Sequence, residues 1–131
     1  MDRFSVSIQT QDFDVSAELA VLRQDQAGVG AVCSFVGTVR GGQGLIAMSL
    51  EHYPGMTERS IQTMLAEARQ RFDIQGARVI HRVGDLAIGD QIVLVAVTSA
   101  HRGQSFQACE FLMDYLKTQA PFWKKESTAD G

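Results

Sequence analysis

Lys117 and Lys124 stand on either side of Pro121 in the run YLKTQAPFWKKE, residues 115–126. Proline has no backbone N–H and disfavours helical geometry in the residue before it, so a helix carrying Lys117 is expected to end at about Gln119. Beyond the break, an extended segment would put Phe122, Lys124 and Glu126 on one side and Trp123 and Lys125 on the other. Two ammonium groups drawn towards one point lower each other's pKa. A lysine shifted towards neutrality can serve as acid, base or nucleophile. The helix dipole by itself also favours a lysine in a last helical turn, so the pair needs support from other residues before it reads as chemistry.

Two further polar clusters fall at the ends of expected elements, where a scaffold presents functional groups. Thr38-Val39-Arg40 closes a strand pattern before the glycine-rich loop Gly41-Gly42-Gln43-Gly44. His101-Arg102 follows an apolar strand and precedes the last helix, beside free helix N–H groups suited to an anion. An arginine fork reads phosphate or planar oxygens, and histidine transfers protons near neutral pH. Each cluster has a plain alternative: Arg40 as a solvated loop charge, His101 as a helix cap, Arg102 as the partner of Glu110 or Asp114. No helix follows the glycines as a P-loop requires. His52 and His81 lie within strand patterns and read as structural or surface residues. Glu51 and His52 are adjacent in a strand and face opposite ways, which argues against an acid/base pair.

The elements that must hold these residues follow from periodicity. Phe4, Val6 and Ile8 alternate as a half-buried strand, and Asp14 or Ser16 can cap a short helix. Gly28–Val39 reads as a largely buried strand bending at Gly37, with Leu45–Tyr53 returning as its hairpin partner. Met56–Phe72 is an amphipathic helix with Thr57 as a candidate cap. Ala77–Val83 is a strand, Gly84–Gly89 a connection, and Gln91–Ser99 a strand apolar on both faces, hence central. Gly103–Gln119 is the last helix. Three helices inserted among strands predict an α+β fold with a mixed or antiparallel sheet, in one domain spanning residues 1–131.

Composition narrows the function. The 131 residues are 45% hydrophobic and 21% charged, which suits a globular domain. A net charge of −3 argues against general nucleic-acid affinity. Yet Arg102, Lys117, Lys124 and Lys125 outnumber Glu110 and Asp114 between residues 101 and 125, which suits a small anionic ligand. The start lacks signal or transit character, so a cytosolic protein is expected. Cys33 and Cys109 are too few and too far apart for a zinc or disulfide framework, and their apolar settings suggest buried thiols.

EHYPGMTE at 51–58, GDQIVLVAVTSAHR at 89–102 and MDYLKTQAPFWKKE at 113–126 resemble the large, catalytic subunit family of molybdopterin synthase. The similarity runs from about Val29 to Glu126 in matching order. It implies an α/β-hammerhead type of fold and a sulfur transfer in molybdenum-cofactor biosynthesis. In that reaction a dithiolene is installed on cyclic pyranopterin monophosphate, with sulfur from the thiocarboxylated Gly-Gly end of a small ubiquitin-like partner. The family's large subunits dimerise and bind one small subunit at each end, forming a heterotetramer. No metal or organic cofactor is expected for the transfer.

Residue by residue, the resemblance implies that Lys117 and Lys124 are catalytic. It also implies a pterin-phosphate site of Thr38, Val39, Arg40, His101, Arg102, Lys117, Lys124, Lys125 and Glu126. Two departures stand out: Gly41-Gly42 replace polar residues common after the arginine, and family members usually continue past the position of Gly131. The alternative reading is a pterin- or partner-binding module without turnover. A persulfide carrier using Cys33 or Cys109 is a third.

Overall fold

The computed structural model describes residues 2–128, in which three helices are set among seven strands. In chain order these are β1 (Phe4–Gln9), α1 (Val15–Arg23), β2 (Ala31–Thr38), β3 (Leu45–His52), α2 (Met56–Arg71), β4 (Gly76–Arg82), β5 (Gly84–Ala87), β6 (Gln91–Ser99), α3 (Arg102–Thr118) and β7 (Phe122–Thr128). The α+β class expected from the sequence is the class observed.

Four strands form the larger sheet in the order β1-β4-β6-β2. β1 runs parallel to β4, and β6 is antiparallel to both β4 and β2. Position explains the apolar character of β6: Val93 to Ser99 are all buried beneath helices on both faces. Val93, Val95 and Val97 pack with Ile61 and Leu65 of α2 and Leu112 of α3. On the opposite face Leu94 and Ala96 meet Leu22 of α1. The Asp14 carboxylate caps α1 by accepting the Ala17 N–H over 3.1 Å.

The smaller sheet has the order β5-β3-β7, with antiparallel pairing throughout. Its inner face buries Met48, Leu50 and Leu86 together with Val39.

Four expectations need correction. The hairpin between Gly28–Val39 and Leu45–Tyr53 does not form: β2 pairs with β6, whereas β3 pairs with β5 and β7. The register shift at Gly37/Thr38 and the positive φ values of Gly42, Gln43 and Gly44 turn the chain out of one sheet and into the other. β2 is an edge strand, with Val32 and Phe35 37% and 42% exposed, not a largely buried one. The expected connection Gly84–Gly89 contains β5, too short and polar to show an apolar alternation. Thr57 also differs from a helix cap. α2 begins after Gly55, whose N–H donates to Glu58 Oε1 over 2.9 Å.

Candidate active site

Helix α3 ends as Pro121 requires: Thr118 is its last residue, and the Gln119 N–H closes on the Tyr115 carbonyl. The chain then enters β7. Opposed residues share a face in an antiparallel sheet, so the pairs Phe122↔His52, Lys124↔Leu50 and Glu126↔Met48 put Phe122, Lys124 and Glu126 on the face of Leu50 and Met48, with Lys124 and Glu126 themselves exposed. Trp123 and Lys125, opposite Glu51 and Ser49, take the outer one. The alternation read from the sequence is therefore the alternation in the fold.

Lys117 and Lys124 line one cavity of about 440 Å³, with Met48, Leu50, Ile92, Leu116 and Phe122 among its walls. Its lining contains no carboxylate. Neither lysine makes an ion pair among the described residues.

A second cavity, of about 490 Å³, is lined by Arg40, the loop Gly41-Gly42-Gln43, Leu45, Glu126 and Thr128. Glu126 stands two residues from Lys124 along β7. Thr38 ends β2 at the register shift. Val39 is only 2% exposed, and its N–H and carbonyl are taken by Asp90 and Gly89. That anchorage fixes the strand from which Arg40 projects.

His101 and Arg102 lie elsewhere. They stand at the Ser99 end of β6 and the start of α3, whereas Arg40 and Lys117 are at the opposite ends of those elements. Fifteen helical residues separate Arg102 from Lys117, roughly 22 Å at 1.5 Å per residue. Both side chains are exposed. The His101 imidazole makes no capping hydrogen bond, and Arg102 pairs with neither Glu110 nor Asp114 among the described residues. One chain thus places Lys117 and Lys124 on one cavity and Arg40 and Glu126 on another, and leaves His101-Arg102 apart from both.

Two site residues escaped the sequence reading. Thr57, fully buried at the start of α2, donates to the Pro121 carbonyl over 3.0 Å. His81 of β4 borders the lysine cavity and stacks on Phe122. A usable signal for His81 was its parity in β4 with Ala77 and Val79, both buried on the helix-facing side.

The cysteines are near each other on α3 and β2. Cys109 is buried, with its thiol directed at the Val95 carbonyl, and burial together with Cys33 pushes its pKa up to about 12. A thiol so held is a poor nucleophile at neutral pH.

This geometry can be set against known proteins. The family model described as MoaE protein matches residues 8–119. A molybdopterin synthase catalytic subunit from Ralstonia nicotianae is 57% identical over 130 residues, covering 97% of this chain and 74% of the relative. The solved structure of molybdopterin cofactor biosynthesis protein E from Burkholderia multivorans superposes with a TM-score of 0.86 at 54% identity, covering 95% of this chain and 83% of that one. A chain from the Helicobacter pylori protein–protein complex of subunits 1 and 2 of molybdopterin-converting factor gives a TM-score of 0.77 at 22% identity, a likeness of fold, covering 98% and 86%. The family match over most of the chain and the identity to its relatives show that this chain belongs to the MoaE family. By that membership it is an enzyme of molybdenum-cofactor biosynthesis, in the class of molybdopterin synthase catalytic subunits.

Proposed function

We propose that this chain transfers sulfur from the thiocarboxylated C-terminus of a small ubiquitin-like partner to cyclic pyranopterin monophosphate, forming the molybdopterin dithiolene. The observation that carries this reading is the convergence of Lys117 and Lys124 on one cavity free of carboxylates. A narrow peptide tail ending in Gly-Gly suits such a cavity, since glycines add no side chains to its cross-section. Lys117, at the end of α3, lies nearest the incoming thiocarboxylate carbon and assists proton transfer. Lys124 orients the pterin and stabilises the negative charge that develops as the acyl–sulfur bond breaks. Water completes each transfer by returning the partner's terminus to a carboxylate.

Arg40, in the second cavity with Glu126, takes the phosphate edge of the pterin, with Thr38 and Val39 fixing its strand. Lys125, on the outer face, contributes to the entrance. His101 and Arg102 cannot reach these groups within one chain, so they serve the lysine cavity of a second copy. Their place at a helix N-terminus with no acidic residue in its first turn favours an anion. The working unit is a homodimer carrying one small partner at each end, in the cytosol.

Reconstitution tests the reading. The purified chain is combined with cyclic pyranopterin monophosphate and thiocarboxylated partner, and dithiolene formation is measured. Product is expected from the wild type and from the Cys33→Ser, Cys109→Ala double variant alike. Loss of product in the cysteine variant alone would move the chemistry from the lysines to a thiol.

A further inference from the structure

Cys33 and Cys109 come from elements far apart in sequence and meet in the layer between α3 and the larger sheet. Cys33 of β2 stands opposite Val97 of β6, and the Cys109 thiol of α3 points at the Val95 carbonyl 3.9 Å away, so both lie over one stretch of β6. Their side chains are in hydrogen-bonding contact with each other. Both also line one cavity of about 350 Å³, walled by Phe35, Phe106 and Met113 together with Glu110.

The two thiols differ in access. Cys109 is buried, whereas Cys33 is half-buried and its neighbours in the cavity wall, Phe35 and Phe106, are exposed. A small solute entering the cavity thus meets Cys33 first. β2 is moreover the outer strand of its sheet, paired with β6 alone among the described residues. With its other edge unpaired, it can close the short distance that separates thiols in contact from a sulfur–sulfur bond of about 2 Å.

We propose that Cys33 and Cys109 form an oxidisable pair: Cys33 is the site at which a neutral hydroperoxide reacts, and Cys109 is the resolving thiol that closes an internal disulfide between β2 and α3. An accessible cysteine beside a resolving one is the arrangement that thiol oxidation requires. In the first step the Cys33 sulfur attacks one peroxide oxygen. A sulfur–oxygen bond forms, the oxygen–oxygen bond breaks, and the departing hydroxide takes up the Cys33 proton as water. Cys33 is then a sulfenic acid, oxidised by two electrons, and the peroxide is reduced by two.

In the second step the Cys109 sulfur attacks the sulfenic sulfur. The sulfur–sulfur bond forms as the sulfur–oxygen bond breaks, and the oxygen leaves with the Cys109 proton as a second water. Burial and the neighbouring Cys33 hold the Cys109 pKa at about 12, which keeps that thiol inert towards a dissolved oxidant. Attack on a sulfur already in contact is intramolecular, and the gain in effective concentration offsets the small thiolate fraction. Thiols of a reducing compartment would reverse the bond. Neither step uses Lys117 or Lys124, so the pair stands apart from the sulfur-transfer reading.

The test treats the reduced full chain with hydrogen peroxide at neutral pH and follows its intact mass, its titratable thiols and its proteolytic peptides. The folded chain should lose two hydrogens and both thiols, yield a linked pair of peptides containing Cys33 and Cys109, and recover both thiols with dithiothreitol. Oxidation of Met113 adds an oxygen instead and is told apart by mass. In Cys109→Ala, which keeps the buried position apolar, Cys33 should stop at the sulfenic acid and be trapped by dimedone. In Cys33→Ser, the Cys109 thiol should survive the same exposure. A wild-type chain whose Cys33 proceeds to sulfinic acid while Cys109 stays reduced overturns the proposal. So does a disulfide that joins Cys33 of two chains, or a Cys109 that reacts as fast in Cys33→Ser as in the wild type.

Discussion

Thr57 and Pro121, 64 positions apart in sequence, are joined by one hydrogen bond: Thr57 Oγ1 donates to the Pro121 carbonyl over 3.0 Å. The same hydroxyl accepts the Tyr53 N–H, also over 3.0 Å. It thereby ties the end of β3 and the first turn of α2 to the break between Lys117 and Lys124. Proline opens the corner, and Thr57 fixes where the chain goes next. Ser60 adds a second tie from α2, through its hydroxyl to the Tyr115 hydroxyl on α3.

Thr57→Val keeps the shape of the side chain and leaves both partners without their hydrogen bonds. Unfolding in denaturant should show a loss of about 1–3 kcal/mol. Turnover should also fall, because the entry to β7 loses its anchor, and Thr57→Ser should restore most of both.

Lys117→Ala and Lys124→Ala should separate activity from stability. Both lysines are at solvent-accessible positions without ion pairs among the described residues, so their removal should alter stability by no more than about 0.5 kcal/mol. Lys125→Ala, on the outer face of β7, should chiefly raise KM, consistent with a part in binding away from the reacting atoms.

Stability should carry the signature of His81. The folded chain keeps this imidazole neutral down to about pH 4, whereas an unfolded chain protonates it near 6.5. Below 6.5 the unfolded state binds more protons, so the contribution is present above that pH and declines as pH falls towards 4. Its full size is about 3 kcal/mol. Unfolding free energies measured between pH 4 and 7 should show this slope, and His81→Phe should remove it.

Much of the lysine corner is legible in the sequence because local rules govern it. Pro121 ends a helix regardless of its surroundings, and strand alternation then sets the sides of Phe122 to Glu126. The central place of β6 is legible for a similar reason: a strand apolar on both faces must be covered on both. The pairing of β2 and β3 is different. Adjacent strands joined by a glycine-rich loop suggest a hairpin, but each finds its partners among residues tens of positions away, and local pattern does not encode that choice. β5 is too short for periodicity. Thr57 and His81 join the site only through Pro121 and Phe122, contacts that exist after the two sheets are assembled.

The separation of His101-Arg102 from the lysines leads to a complementation experiment. A Lys117→Ala chain and an Arg102→Ala chain, each deficient alone, are mixed under conditions that exchange subunits. If each site draws Arg102 from one copy and Lys117 from the other, a mixed dimer concentrates both lesions in one site and leaves the second intact. Random exchange of equal amounts should then restore about a quarter of wild-type activity. No recovery after demonstrated exchange would confine each site to one chain.

The most direct measurement is single-turnover dithiolene formation by wild type, Lys117→Ala and Lys124→Ala, with saturating thiocarboxylated partner and cyclic pyranopterin monophosphate. The paired-lysine account expects each substitution to slow the transfer by about a hundredfold or more while partner binding persists. Transfer at the wild-type rate in either folded variant would contradict it.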